Sequence, residues 1–327
     1  MGYSAQVMSR ARERLARAKA EKESVYQQHL HTAYTQVPRI KEIDILLRRS
    51  MALAAQAVFS KGGDPKAAME QVKQANLALQ SERRQLLLEN FPPKFLDETP
   101  VCENCGGSGY VGSTMCRCLQ ELCRQEQKKE LTLLNVGTAG FEDFRLDYYS
   151  EKIDPKYGRS IRSIMERTYE ICRRYAQEFS ETSGNLLFSG DTGLGKTFLS
   201  ACIAAQVAQK GYGVVYESAV HLFSKMEKAR FSGDEQAQQE CRKYTACDLL
   251  IVDDLGTEMP GTFVNSALYT LINDRILSGK PTIISTNLGN EELISRYSAQ
   301  IVSRLRGNYQ RVAFVGEDIR VMKNRGF

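Results

Sequence analysis

The eight residues Gly190-Asp191-Thr192-Gly193-Leu194-Gly195-Lys196-Thr197 fit the pattern G-x-x-x-x-G-K-[ST] at every fixed position. Few short segments constrain a fold as tightly, because the pattern works only between a strand and a helix. Both neighbours are present. Asn185 to Ser189 is a short apolar run that reads as a buried strand, and Phe198 to Gln209 is rich in Ala, Leu, Ile and Gln and reads as a helix. Glycines at these positions let backbone N–H groups curl around phosphate oxygens, and the helix N-terminus adds partial positive charge. Lys196 is then placed to reach β- and γ-phosphates and the Thr197 hydroxyl to ligate Mg²⁺, with Phe198 completing the binding stretch. The chain is expected to bind a nucleoside triphosphate.

At 327 residues the chain exceeds what one core usually serves, so length alone leads to an expectation of two domains. A hydrophobic fraction of 42% and a charged fraction of 25% are those of a globular protein. No apolar run approaches membrane-spanning length, and the basic stretch Met1 to Arg17 has no apolar centre, so neither a membrane partner nor a secretory signal is expected. The net charge of +5 permits a nucleic-acid partner without arguing for one. Nine cysteines in a phosphate-loop protein suit the reducing cytosol, so a cytoplasmic location without a disulfide framework is expected.

Four segments follow from composition. Residues 1–98 read as helical, interrupted at Pro38 and at Gly62-Gly63-Asp64-Pro65, where glycines stop one helix and Asp64 with Pro65 starts the next. Ile40, Ile43, Leu47, Met51, Ala54 and Val58 recur at helical spacing, as do Met69, Val72, Ala75, Leu79 and Leu86. Such helices make a hairpin or small bundle, either self-contained or with a stripe for a partner. Residues 99–130 hold Cys102-x-x-Cys105, a glycine-rich loop, and Cys116-x-Cys118, a spacing able to bring four thiolates to one tetrahedral Zn²⁺. Cys123 remains an alternative to Cys118. Residues 131–183 form a linker and leading helix, and 184–327 form the nucleotide-binding core. From about Thr138 onward strands alternate with helices, the mark of a parallel sheet. The strands are expected at Leu186–Ser189, Val214–Glu217, Leu249–Asp253, Thr282–Thr286 and Arg311–Val315, with one intervening helix at Val264–Leu277.

Leu249 to Asp254 is an apolar run closing in two acids, about 55 residues after Lys196. A phosphate-loop ATPase needs one acid there to hold Mg²⁺ and another to orient water, roles given to Asp253 and Asp254. Thr282 to Asn287 is a strand ending in an amide that could meet the γ-phosphate or the attacking water, or could cap the helix near Asn290. Arg304, on the helical run Ile301 to Arg306, could neutralise charge on a phosphate in a neighbouring subunit or lie idle on the surface.

This order of features resembles the AAA+ ATPases, and within them the DnaC/DnaI-type bacterial helicase loaders and the related transposition helper IstB. The likeness spans roughly residues 138–327, including Phe141-Glu142-Asp143-Phe144-Arg145, similar to the linker near the adenine, and Asp318-Ile319-Arg320. The resemblance implies an α/β core with a five-stranded parallel sheet in the order 5-1-4-3-2, behind a helical N-terminal region and a small zinc module. It further implies an ATPase, slow because Asp254 stands where many relatives have Glu, that uses ATP, Mg²⁺ and Zn²⁺. The implied partners are a DnaB-type hexameric helicase docked on residues 1–98, single-stranded DNA, and further copies of the chain through the ATPase domain. Family loaders carry an extra helical pair between the second and third strands. Here it corresponds to Val220–Ala246, where Phe223, Lys225, Lys228, Arg230, Phe231, Arg242, Lys243 and Tyr244 suit either DNA contact or ordinary packing. An IstB-like helper, a nucleotide-gated adaptor and a small-molecule kinase are the competing readings.

Overall fold

A computed structural model describes residues 2–59, 65–133 and 140–324. The expected stop at Gly62-Gly63, the Asp64 cap and Thr138 lie outside the described residues, as do the side chains of Met51, Ala54, Val58 and Met69. The chain divides into two compact units, one of Met1–Glu13 with Arg117–Phe327 and the other of Arg14–Cys116.

The unit Arg14–Cys116 takes in α1 (Ala5–Gln36) from Arg14 onward, α2 (Pro38–Phe59), α3 (Pro65–Asn90) and the two-residue strands β1 (Tyr110–Val111) and β2 (Thr114–Met115). Pro38 and Pro65 each occupy the first position of a helix, where a missing N–H costs nothing. Ile40 and Ile43 of the expected stripe are fully buried, and Ile40 packs with Ala33 and Phe91. Phe91 stacks on Phe95 and Phe95 on His29, with centroids 4.5 and 4.3 Å apart. A polar tie joins α1, α2 and α3: Tyr34 donates to Asp44 at 2.8 Å, and Arg83 donates to the same carboxylate at 2.7 Å.

The larger unit continues with α4 (Arg117–Leu133), the strands β3 (Ile153–Asp154) and β4 (Arg159–Ser160), and α5 (Ile161–Glu178). The core then runs β5 (Asn185–Ser189), α6 (Lys196–Gln209), β6 (Val214–Ser218), α7 (Ala219–Phe231), α8 (Glu235–Ala246), β7 (Leu249–Leu255), α9 (Thr262–Leu277), β8 (Thr282–Thr286), α10 (Asn290–Arg296), α11 (Ala299–Asn308), β9 (Tyr309–Ala313) and α12 (Ile319–Asn324). The five strands β6-β7-β8-β5-β9 pair in parallel throughout. Counted from β5 as first, their order is the expected 5-1-4-3-2. The inner strands are apolar on both faces because helices cover both faces. Leu186 and Phe188 enter the core with α5 and α6, while Leu187 enters the core with α7, α9 and α11. The extra helical pair is present as α7 and α8.

β9 begins two residues earlier than expected and ends at Ala313. Phe314 and Val315 stay buried but leave the ladder, although the Phe314 N–H still donates to the Ser189 carbonyl at 2.8 Å. Apolar character marks burial, not ladder membership, and at an edge strand the two come apart. Among the described residues no helix is long and apolar enough to cross a membrane.

Candidate nucleotide site and cysteine cluster

The phosphate loop leaves the C-terminal end of β5 and becomes α6 at Lys196. Two glycines show why the pattern demands glycine. Gly190 has φ +153°, and a Cβ there would lie 2.2 Å from the Phe314 carbonyl oxygen. Gly193 has φ +75°, and its Cβ would lie 1.9 Å from the Asp318 carboxylate. The loop is held from outside as well. The Tyr149 hydroxyl donates to the Leu194 carbonyl at 3.0 Å, and the Ile319 N–H donates to the Gly193 carbonyl at 3.0 Å. Lys196 is 5% exposed and donates to the carbonyls of Gly190 and Asp191, both at 2.6 Å. Burial depresses its pKa, and the charges of Asp254, Asp253 and Asp191 act against that depression. A buried ammonium among carboxylates and aligned loop amides is suited to polyphosphate. Asp191, Thr192 and Thr197 are exposed, and Phe198 is partly buried within 6.0 Å of the Phe144 ring.

Asp253 ends the regular part of β7 and is buried. Tyr216 donates to its Oδ2 at 2.6 Å, and Ser285 donates to its Oδ1. Asp254 has φ +54°, a left-handed conformation rare for a residue with a side chain. Its N–H donates to the Ser285 hydroxyl at 2.8 Å. At the mouth of the site, partial burial and then the charge of Asp253 push the Asp254 carboxyl above its usual range, against the opposing charges of Lys196 and Arg320. Arg320 had no role assigned from sequence beyond its place in the run Asp318-Ile319-Arg320. Asp253 and Thr197 together offer a carboxylate and a hydroxyl, the hard oxygen donors that Mg²⁺ prefers beside phosphate.

Asn287 follows β8 directly. It does not cap α10, whose N-cap is Gly289 with Glu292 closing the box. Its Oδ1 is buried without a hydrogen-bond partner, which leaves an acceptor free for a ligand or its water. A cleft of about 1000 Å³ runs past Ser189, Gly190, Asp191, Asn287 and Arg311 to Tyr149. Arg304 is held against α9: its guanidinium lies 4.4 Å over the Tyr269 ring, donates to the Tyr269 hydroxyl at 2.8 Å, and donates to Asn273 Oδ1 at 2.9 and 3.1 Å.

In the helical pair the structure sorts the residues that sequence left open. Phe223 and Tyr244 are buried, and Lys225 is paired with Glu217 at 2.5 Å. Lys228, Arg230 and Phe231 are exposed at the end of α7, and Phe263 of α9 joins them. Arg230 lies 6.0 Å from the centres of both the Phe231 and Phe263 rings.

The thiols of Cys102, Cys105, Cys116 and Cys118 lie within 4.8 Å of one another. Cys102 and Cys116 sulfurs are 3.8 Å apart, about the edge of a tetrahedron with Zn–S bonds of about 2.3 Å. The Gly109 N–H donates to the Cys105 sulfur at 3.3 Å and the Asn104 amide to the Cys116 sulfur at 3.5 Å, contacts that favour thiolates. Cys123 stands apart, fully buried 3.5 Å from the Met8 sulfur, with its thiol pushed up to about 11 by burial. None of the nine cysteines is in a disulfide.

The sequence profile described as IstB-like ATP binding protein matches residues 166–305. That span covers the phosphate loop, the Asp253-Asp254 turn, Asn287 and Arg304. Residues 166–305 are thus similar to IstB-like ATP-binding proteins. Among curated relatives, the replicative helicase loader DnaC of Buchnera aphidicola from Acyrthosiphon pisum is 26% identical over 227 residues, 68% of this chain and 86% of that protein. DnaC of Escherichia coli K12 is 26% identical over 143 residues, 43% of this chain and 58% of that protein. A crystal structure of the DnaC helicase loader aligns over 54% of this chain and 98% of its own, at 21% identity and a TM-score of 0.44. The resemblance to DnaC-type loaders drawn from the sequence is borne out by the curated relatives.

Proposed function

We propose that this protein is an ATP-dependent loader that engages a DnaB-type hexameric helicase and helps place it on single-stranded DNA. The observation that carries the reading is the likeness to a named helicase loader through 86% of that loader's length. In this reading the loop Gly190–Thr197 and Phe198 hold ATP. Lys196 exchanges its loop carbonyls for phosphate oxygens. Thr197 and Asp253 hold a magnesium ion, which when bound neutralises charge on the β- and γ-phosphates. Asp254 orients the attacking water, and the free acceptor of Asn287 meets that water or the γ-phosphate. Arg304, stiffened by Tyr269 and Asn273, faces the nucleotide of a neighbouring copy.

Residues 1–98 dock the helicase, and residues 99–130 are a zinc module with Cys102, Cys105, Cys116 and Cys118 as ligands. Lys228, Arg230 and the exposed Phe231, backed by the partly buried Phe263, make the DNA contact, since an exposed ring beside cations stacks bases while the cations hold phosphates. The protein works in the cytoplasm, where the replication fork is.

The test is capture of the host's replicative helicase by the full chain, with and without ATP. Nucleotide-sensitive capture is expected, and no capture in either state overturns the loader reading. A second reading, the IstB-like helper, has its own support, because the matching profile is described as IstB-like ATP binding protein. Capture of a transposase in place of the helicase would favour it. For turnover, Asp254→Asn is expected to keep ATP binding and stop hydrolysis. Normal hydrolysis by that variant would remove Asp254 from the role of water-orienting acid.

A further inference from the structure

Between the ladder pairs Val252–Ile284 and Leu255–Thr286, β7 carries two residues, Asp253 and Asp254, where β8 carries only Ser285. This is a β-bulge, a device that re-aims side chains beside active sites. The bulge would leave the Asp254 N–H without a ladder partner, and Ser285 supplies one. A single hydroxyl thus does two jobs: it donates to Asp253 Oδ1 and accepts from Asp254 N. Ser285 is fully buried, so water cannot substitute for it. From the other side of β7, the Tyr216 hydroxyl donates to Asp253 Oδ2. The Ser200 hydroxyl lies 3.0 Å from both Tyr216 and the Thr197 carbonyl, which ties Asp253 to the first turn of α6.

We propose that Ser285 and Tyr216 are the positioning residues of nucleotide turnover. Ser285 holds the bulge that turns Asp254 toward the phosphate loop, and Tyr216 holds Asp253 in register with Thr197. The proposal rests on the reading of Asp253 as the ion-holding acid and Asp254 as the water-orienting one. The two residues do separable things. Loss of the Ser285 hydroxyl frees the backbone of Asp254 and strikes the chemical step. Loss of the Tyr216 hydroxyl leaves the bulge closed and loosens only Asp253, so it strikes the magnesium-dependent part of nucleotide affinity. Because Ser285 stands two residues before Asn287, which directly follows β8, it also links that amide to the acid pair.

The experiment uses the full chain and follows steady-state ATP turnover, ATP binding by calorimetry with and without Mg²⁺, and thermal unfolding. Ser285→Ala is expected to lower kcat about 10–100-fold, the usual cost of losing an outer-sphere partner, with metal-free ATP affinity within about twofold. Ser285→Thr keeps the hydroxyl and is expected to restore kcat to within about threefold. Tyr216→Phe is expected to lose about tenfold of the affinity gained on adding Mg²⁺ while metal-free binding stays. Should Ser285→Ala fold poorly, Ser285→Cys fills the volume with a weak donor and is expected to show the same fall in kcat.

Turnover within about threefold of the parent in either the Ala or the Cys variant overturns the proposal. So does a pattern in which both positions lower metal-free affinity in step with melting temperature, which is what packing alone would give. Asp254→Asn separates the two levels. If it turns over normally, the reading of the acid pair has failed. If it is inactive while Ser285→Ala is normal, only the positioning role has failed.

Discussion

The phosphate loop and the cysteine turn are both glycine-rich loops with several residues at positive φ, yet they are held in opposite ways. The phosphate loop is gripped by Tyr149, Phe314 and the segment around Asp318, and its lysine and neighbouring Asp253 are 5% exposed. Burial in a large parallel-sheet core fixes its shape. The cysteine turn relies on short-range bonds, such as Gly106 N–H to Cys102 O at 2.8 Å and Cys116 N–H to Gly109 O at 2.8 Å, with a hairpin of two-residue strands. Within residues 102–116 only Gly109 and Cys116 are buried. A hairpin that short does not persist on its own in water. Where a core cannot supply the cohesion, four converging thiolates and a metal ion can.

The largest effect expected from this contrast is on metal removal. Structural zinc is worth on the order of 10 kcal/mol or more in small peptides, far beyond anything the turn's own bonds supply. Metal analysis should therefore find one zinc per chain. Replacing Cys102 and Cys116 with Ser should remove it and abolish hydrogen-exchange protection of the amides from Gly106 to Cys116. Nucleotide affinity of the core should stay within about twofold, since that site is held by burial. Protection that survives in metal-free protein would mean that the turn stands without zinc and that the contrast is misdrawn.

The next effect lies in the other region. Lys196→Ala removes the one buried ammonium among the loop carbonyls and is expected to weaken ATP binding about 100-fold or more, equal to about 2.7 kcal/mol. Zinc content should not change. The check is calorimetry beside metal analysis on one preparation, and ATP affinity within about tenfold of the parent would contradict the assignment.

The same contrast explains what could be read from the sequence. The phosphate loop was legible because its chemistry is confined to eight consecutive residues, and the inner strands because burial on both faces gives each an apolar run. The cysteine cluster was legible from spacing alone. The supports of the nucleotide site were not. Tyr216 and Ser285 look like ordinary strand residues, and their meaning comes from the register of β6, β7 and β8, which no local pattern encodes. The left-handed Asp254 is likewise a product of strand pairing. Ser285 did fall within the run Thr282 to Asn287, but Thr282 and Thr286 carry hydroxyls in the same strand, so nothing local singled it out. The hairpin β3–β4 escaped because two-residue strands have no periodicity. The split between exposed Phe231 and buried Phe223 escaped for the opposite reason: both sit on one helix with like neighbours, and only the packing of α7 on the sheet tells them apart.

The smallest expected effect sharpens the comparison most directly, because it applies one change to both regions. Gly112→Ala and Gly193→Ala each force a side chain into the left-handed region, at about 1–2 kcal/mol. At Gly112, φ is +60° and an added Cβ meets nothing within 4 Å. At Gly193 the Cβ must displace the Asp318 carboxylate, which itself accepts the Arg320 N–H at 2.8 Å. Gly112→Ala should therefore cost only the conformational term and leave ATP affinity alone. Gly193→Ala should cost more and weaken ATP binding, because moving Asp318 also moves Arg320 away from Lys196 and Asp254. Unfolding and calorimetry on the two variants give the answer. Equal losses of stability, with ATP binding untouched in both, would mean that the segment around Asp318 does not brace the phosphate loop.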